Sequence, residues 1–155
     1  MGPKDTQLTP LSPYPALLLK KESKKILVIS DLHIGWEVAL AEEGVHVPSQ
    51  TAKLLSRLQA VVVEEKPDCL LVLGDVKHTI AKIELEEWRD VPTFFEEASK
   101  IVPSVQVVPG NHDGDLEPLL PENVEISSPQ GVIIGDVGLF HGHTWPYVRM
   151  LGCNT

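Results

Sequence analysis

Apolar residues along this chain gather in short runs separated by polar segments, and their spacing changes from one segment to the next. Ile26 to Ile29, Leu70 to Leu73 and Val105 to Val108 have the length and composition of buried strands. Between the first two, Leu54, Leu55, Leu58, Val61 and Val62 recur at helical spacing, which predicts a helix over Pro48 to Lys66 with Ser49 as its N-cap. Between the second two, Leu85, Trp88, Phe95 and Ala98 predict helical structure from Glu84 to Lys100. That helix should break or kink at Pro92, which has no N–H to donate. Strands alternating with helices are most simply parallel units with crossover connections, hence an α/β fold.

The flanks read as hairpins. Ala16 to Leu19 and Ile26 to Ile29 enclose the charged segment Lys20 to Lys25, expected to be a loop. Val132 to Ile134 and Val137 to Phe140 enclose Gly135-Asp136, a two-residue turn signal. Met1 to Pro15, with Pro3, Pro10, Pro13 and Pro15, is expected to be a tail or an extended strand lead-in. Trp36 to Val47 shows no clear period. No repeat or linker divides the chain, so residues 1–155 read as one domain.

The strand ends carry the chemistry. The first run leads into Asp31-Leu32-His33, the second into Gly74-Asp75, the third into Pro109-Gly110-Asn111-His112-Asp113 and the last into His141-Gly142-His143. Asp31 and His33, at i and i+2, share one side of an extended chain and can hold one cation together. Carboxylate, imidazole and amide oxygen without thiolate suit manganese, iron, cobalt, nickel or zinc. Two ions sharing Asp75 fit that donor set.

Composition restricts the partners. At 43% hydrophobic and 23% charged, the chain is an ordinary globular one. The net charge of -9 argues against coating nucleic acid non-specifically, so any such contact is local. Cys69 and Cys153 form neither a zinc pattern nor a disulfide framework, which fits a reducing, cytoplasmic setting. No apolar run reaches the length of a membrane span, and no long apolar leader opens the chain. Met1-Gly2 with Thr6 formally matches a myristoylation pattern, but Pro3 and Lys4 make it a poor one.

Asp31-Leu32-His33, Gly74-Asp75, Gly110-Asn111-His112-Asp113 and His141-Gly142-His143, in this order, resemble the motif series of the calcineurin-like metallophosphoesterases. The contexts Asp75-Val76-Lys77-His78 and Phe140 to Pro146 look like an archaeal branch related to nuclease subunits of double-strand-break repair. The resemblance implies a four-layer αββα sandwich with a dinuclear site at the sheet edge. By it, Asp31 and His33 bind one metal, Asp75 bridges, Asn111 and His141 bind the other, and His112 faces the substrate phosphate. The family's further Gly-His-x-His block does not follow His143. The chain is therefore expected to be a fragment lacking the C-terminal strands; otherwise Gly142 to Pro146 is a degenerate form of that block and the site is defective.

The expected reaction is hydrolysis of phosphoesters, chiefly phosphodiesters, by a hydroxide generated at two divalent cations, with manganese favoured. His112 would donate a proton to the leaving oxygen or hold a phosphoryl oxygen, and Asp113 would orient its ring. His143 would brace a ligand or touch phosphate, and His78 would do the same or remain at the surface. The substrate is nucleic acid or a small phosphodiester; the alternative is a non-catalytic module that binds metal or phosphate. Asp136 reads as a turn-former, His46 as no ligand, Trp88 as core and Glu84 to Glu87 as a solvated face, while Trp36 and Trp145 could line a cleft.

Overall fold

In a computed structural model, which describes residues 5–155, the apolar runs become neighbouring strands of one six-stranded sheet. Its strands in spatial and chain order are β1 (Gln7–Pro10), β2 (Leu17–Lys21), β3 (Lys24–Ile29), β4 (Cys69–Leu73), β5 (Ser104–Val108) and β6 (Val124–Ile126). β1 to β3 pair antiparallel, and β3 to β6 pair parallel. Helices α1 (Trp36–Glu42) and α2 (Thr51–Glu65) connect β3 to β4, and α3 (Leu85–Ile101) connects β4 to β5. A separate hairpin, β7 (Val132–Ile134) and β8 (Val137–Leu139), forms the second sheet.

The strict alternation of a strand sends successive side chains to opposite faces, and both faces of the large sheet are covered. Leu27, Leu70, Val72, Val105 and Val107 pack with Leu58, Val61 and Val62 of α2 and with Val91, Phe94, Phe95 and Ala98 of α3. Leu19, Val28, Leu71 and Val108 pack with Val137 and Leu139 of the second hairpin. Each such fully buried side chain stabilises the fold by about 1.5–3 kcal/mol. The α/β sandwich is therefore present. Among the described residues three of the four expected layers are seen: the helices, the six-stranded sheet and the two-stranded sheet.

The lead-in takes the extended alternative, with β1 at Gln7–Pro10. Other elements depart from the sequence reading: the stretch without a clear period holds α1. Met1-Gly2 of the myristoylation pattern lies outside the described residues. Lys20, Lys21, Lys24 and Lys25 belong to the strands, with Lys20 opposite Lys25 and Lys21 opposite Lys24, so the turn is only Glu22-Ser23. Long lysine stems keep their ammonium groups in water from a strand position. Gln50, one residue later than expected, caps α2, although the Ser49 hydroxyl still accepts the Thr51 N–H at 3.3 Å.

α3 runs unbroken through Pro92. At that turn the Thr93 hydroxyl donates to the Arg89 carbonyl at 2.7 Å. The face of its first turns is reversed from expectation: Leu85 and Trp88 are 78% and 49% exposed, while Glu87 is fully buried. The cause lies outside the helix. Glu87 Oε1 accepts the N–H groups of His78 and Thr79, and Oε2 accepts that of Glu84, so the carboxylate is turned inward by backbone donors that need an acceptor.

Candidate metal centre

Because β3, β4 and β5 run parallel, their C-terminal ends reach one edge together. The loops beyond them remain joined. Asp31 N–H donates to the Gly74 carbonyl, His33 N–H to the Asp75 carbonyl and Ile34 N–H to the Val76 carbonyl, at 2.8–3.0 Å. Asp31, His33 and Asp75 adopt left-handed backbone, with φ of 56°, 44° and 53°. Asp31 and His33 thus do not share a side by extended-chain alternation. They converge because strained backbone turns both toward Asp75, a conformation that non-glycine residues hold only when surroundings impose it.

Asp75 is the centre of the cluster, its side chain only 7% exposed. Its Oδ2 lies 3.6 Å from His33 Nε2 and 3.9 Å from His112 Nε2, and its Oδ1 lies 3.4 Å from His141 Nε2. Asp31 Oδ1 is 3.9 Å from His33 Nε2, while its Oδ2 accepts the Ser30 hydroxyl. These spacings exceed hydrogen bonds. Two donors bound at about 2.1 Å to one ion stand roughly 3–4 Å apart as the angle between them widens from about 90°, so the intervals suit ligands around shared cations.

Two further contacts set the imidazoles. His141 Nδ1 meets the Leu73 carbonyl at 3.0 Å, and His112 Nδ1 meets the His78 carbonyl. A ring that donates its Nδ1–H to a carbonyl presents the Nε2 lone pair, the ligating form. In both residues that nitrogen faces Asp75. The two motif glycines are explained by space. A methyl group at Gly74 would overlap the His141 ring, and one at Gly110 would overlap the Asp75 carboxylate and backbone nitrogen.

Asp113 does not orient the His112 ring as expected. Its buried carboxylate accepts the N–H groups of Val76 and Lys77 through Oδ1, at 2.9 and 3.2 Å, and of Gly110 through Oδ2, at 2.7 Å. It therefore clamps the Asp75 loop to the Asn111 loop, and the His78 carbonyl orients His112. Asn111 is exposed on its loop beside this cluster, and the N–H of the next residue, His112, donates to Asp75 Oδ1 at 3.0 Å.

His78 joins the centre rather than the open surface. Its ring lies 5.5 Å from that of His33 and 5.8 Å from that of His112, and the three offer ligand atoms within 4.8 Å of one another. Burial first, then the nearby His33 and His112 imidazoles, push His78 below the usual histidine range. His143 is exposed, its ring 5.6 Å from that of His141. His46 and Trp145 are exposed, and Trp36 is half-buried. The sequence reading missed Glu87, which fastens the 78–79 loop, and Lys77, fully buried with its ammonium on the Thr79 carbonyl. The sequence-level trace of Glu87 is its place three residues after Glu84 at the helix start.

A family model described as calcineurin-like phosphoesterase matches residues 24–154, a span that contains every residue of this centre. The chain belongs to the calcineurin-like phosphoesterase family. Among solved structures, the crystal structure of Pseudomonas putida nuclease MPE matches this member of the family with a TM-score of 0.50 and 22% sequence identity. The match covers 83% of this chain and 62% of that one, so the chain spans less than two thirds of that nuclease. Likeness at this identity speaks for the fold. No curated protein sequence matches.

Two divalent cations are typical of such phosphoesterases, and the residues present fit them. Asp31, His33 and Asp75 place ligand atoms within 4.8 Å of one another, and Asp75 turns its other oxygen to His141. No helix among the described residues is long and apolar enough to cross a membrane.

Proposed function

We propose that this phosphoesterase hydrolyses phosphodiesters with two divalent cations, manganese first among them, shared across Asp75. The observation that carries the reading is the division of one buried carboxylate, Oδ2 toward His33 and Oδ1 toward His141. Asp31, His33 and Asp75 would hold one cation, and Asp75, Asn111 and His141 the other. When bound, such a pair lowers the pKa of water and offsets the charge that builds on the phosphoryl oxygens.

The chain's own residues supply the proton chemistry. With Nδ1–H held by the His78 carbonyl, His112 carries a proton on Nε2 only as the imidazolium. Giving that proton to the leaving oxygen returns a neutral ring that keeps its bond to His78. Water loses a proton to solvent, its oxygen stays on phosphorus as the bond to the leaving oxygen breaks, the alcohol departs with the proton from His112, and solvent restores that proton. His143 and His78 border the centre where phosphoryl oxygens would lie. Asp113 acts at a distance, by holding the Asp75 loop.

The substrate is nucleic acid or a small phosphodiester. Kinship with the nuclease subunits of double-strand-break repair, in an archaeal branch, rests on Asp75-Val76-Lys77-His78 and Phe140 to Pro146. A cytoplasmic location rests on the cysteine usage. The test is hydrolysis of bis(4-nitrophenyl) phosphate with added manganese. Asp75→Ala should lose both manganese binding and turnover, and His112→Ala should keep binding while losing about 100-fold or more in turnover. Full turnover by His112→Ala removes that histidine from the reaction. Tight manganese binding without any turnover supports instead a module that binds metal or phosphate.

A further inference from the structure

A cleft of about 440 Å³ opens beside the metal centre, between α1 and the loop that follows Asp75. Its apolar walls are Val38 and Ala39 from α1 and Ile80 and Ala81 from the loop. His78 and His112 line it too, and both imidazoles meet His33 edge-on, at 5.5 and 4.8 Å between ring centres. The cleft and the ligand cluster therefore share a wall. That wall includes the ring whose Nε2 faces Asp75, the ring proposed above to protonate the leaving oxygen.

The charges around the cleft narrow what it can hold. Glu42, Lys82 and Glu84 line it, and Glu84 holds the Lys82 ammonium at 2.8 Å. Lys77, which enters the same loop, is fully buried with its ammonium on the Thr79 carbonyl. Both lysines are thus engaged, and apart from the imidazoles of His78 and His112 the lining has two carboxylates to one ammonium. A polynucleotide binds through cations along its phosphates, and the outer part of this cleft, beyond the imidazoles, offers no uncommitted lysine or arginine for the next phosphate of such a chain. An uncharged apolar group would instead cover Ile80, now 59% exposed.

We infer that this cleft receives the leaving group of the substrate, and that this group is an uncharged, largely apolar alcohol rather than the next nucleotide of a polynucleotide. The inference rests on the phosphodiester hydrolysis proposed above and narrows its substrate class.

Binding is measured first, on the whole metal-free chain with methyl-labelled isoleucine and valine, titrated with benzyl alcohol. Shifts are expected at Ile80 and Val38 and not at Val63, an exposed valine on α2. Ala39→Phe should abolish them. Hydrolysis is measured second, with manganese, on bis(4-nitrophenyl) phosphate and on oligothymidylate. Ala39→Phe should raise KM for the aryl diester by about tenfold or more, the scale on which a misfit apolar pocket discriminates. Ile80→Lys, a change at an exposed loop position, should move the preference toward the oligonucleotide by about tenfold.

No shift at Ile80 and Val38 overturns the assignment. So does aryl diester hydrolysis indifferent to both substitutions, or oligothymidylate cleaved by the unaltered chain as efficiently as the aryl diester. Alcohol binding at Ile80 and Val38 with no hydrolysis of either ester keeps the cleft's ligand and refutes the hydrolysis.

Discussion

His141 Nδ1, just beyond β8, meets the carbonyl oxygen of Leu73, the last residue of β4, at 3.0 Å. One hydrogen bond thereby joins the ends of the two sheets and fixes which nitrogen of His141 looks at Asp75. If two cations bind as proposed, His141→Ala should weaken one site by about 10-fold or more, at least the scale of losing a ligand's outer-shell partner, and leave the other near its original affinity. A manganese titration followed by calorimetry reads both. Two unchanged sites would remove His141 from the ligand set.

Asp113 and His112 are neighbours with opposite duties. The Asp113 carboxylate satisfies three buried backbone donors, so Asp113→Ala should destabilise the fold by about 2–4 kcal/mol, with the Asp75 loop loosened as a result. His112→Ala should change stability by less than about 1 kcal/mol. Urea unfolding compares the two. If Asp113→Ala keeps full stability and loses only turnover, Asp113 acts in the reaction after all.

Gly74 and Gly142 both have positive φ, of 81° and 103°, yet only Gly74 lies against another group. Gly142→Ala should cost about 1 kcal/mol, the strain of a left-handed alanine. Gly74→Ala adds collision with the His141 ring and should cost about 3 kcal/mol. Removing the ring should relieve part of that loss, so Gly74→Ala and His141→Ala should combine to less than the sum of their separate effects. Additive losses would show that the ring is not what excludes a side chain at Gly74.

Asp136 is more than a turn residue. Its Oδ1 accepts the Thr6 N–H at 3.0 Å and its Oδ2 the Asn154 amide at 3.2 Å, which ties the β7–β8 turn to residues far apart in the chain. The Thr6 and Asn154 donors lower its pKa from 3.8 to about 2. A depressed carboxyl stabilises the fold fully above its unfolded value and loses that contribution as pH falls through its folded one. Asp136→Asn should therefore be less stable than the unaltered chain above about pH 4, and the difference should fade as pH drops toward 2. Thermal unfolding of the pair across that range checks it; a constant difference would mean that the carboxylate charge plays no part.

The parallel core and the residue types at its edge were legible because compact apolar runs ended in polar groups that a strand interior cannot hold. Asp31, His33, Asp75 and His141 meet where those runs predicted. What sequence periodicity concealed was set by distant demands. Trp88 fits an apolar helical stripe, but Glu87 is drawn inward by the backbone of residues 78 and 79, and the tryptophan turns outward with the rotation of that face. Asp113 next to a histidine suggested an orienting pair. Only the fold shows that Val76, Lys77 and Gly110 all aim their N–H groups at it. The charged hairpin misled for a local reason, since lysine's polarity lies at the tip of a stem that a strand accommodates.

Left-handed backbone at Asp31, His33 and Asp75 opposes function to stability. Glycine enters that region without the penalty of a Cβ, so His33→Gly would relieve strain on the order of 1 kcal/mol while deleting a candidate ligand. At Asp75 the same relief would be offset, because its carboxylate also accepts the His112 N–H. Two aspartates and a histidine standing together in such backbone mark a place where the fold carries strain that packing alone does not call for.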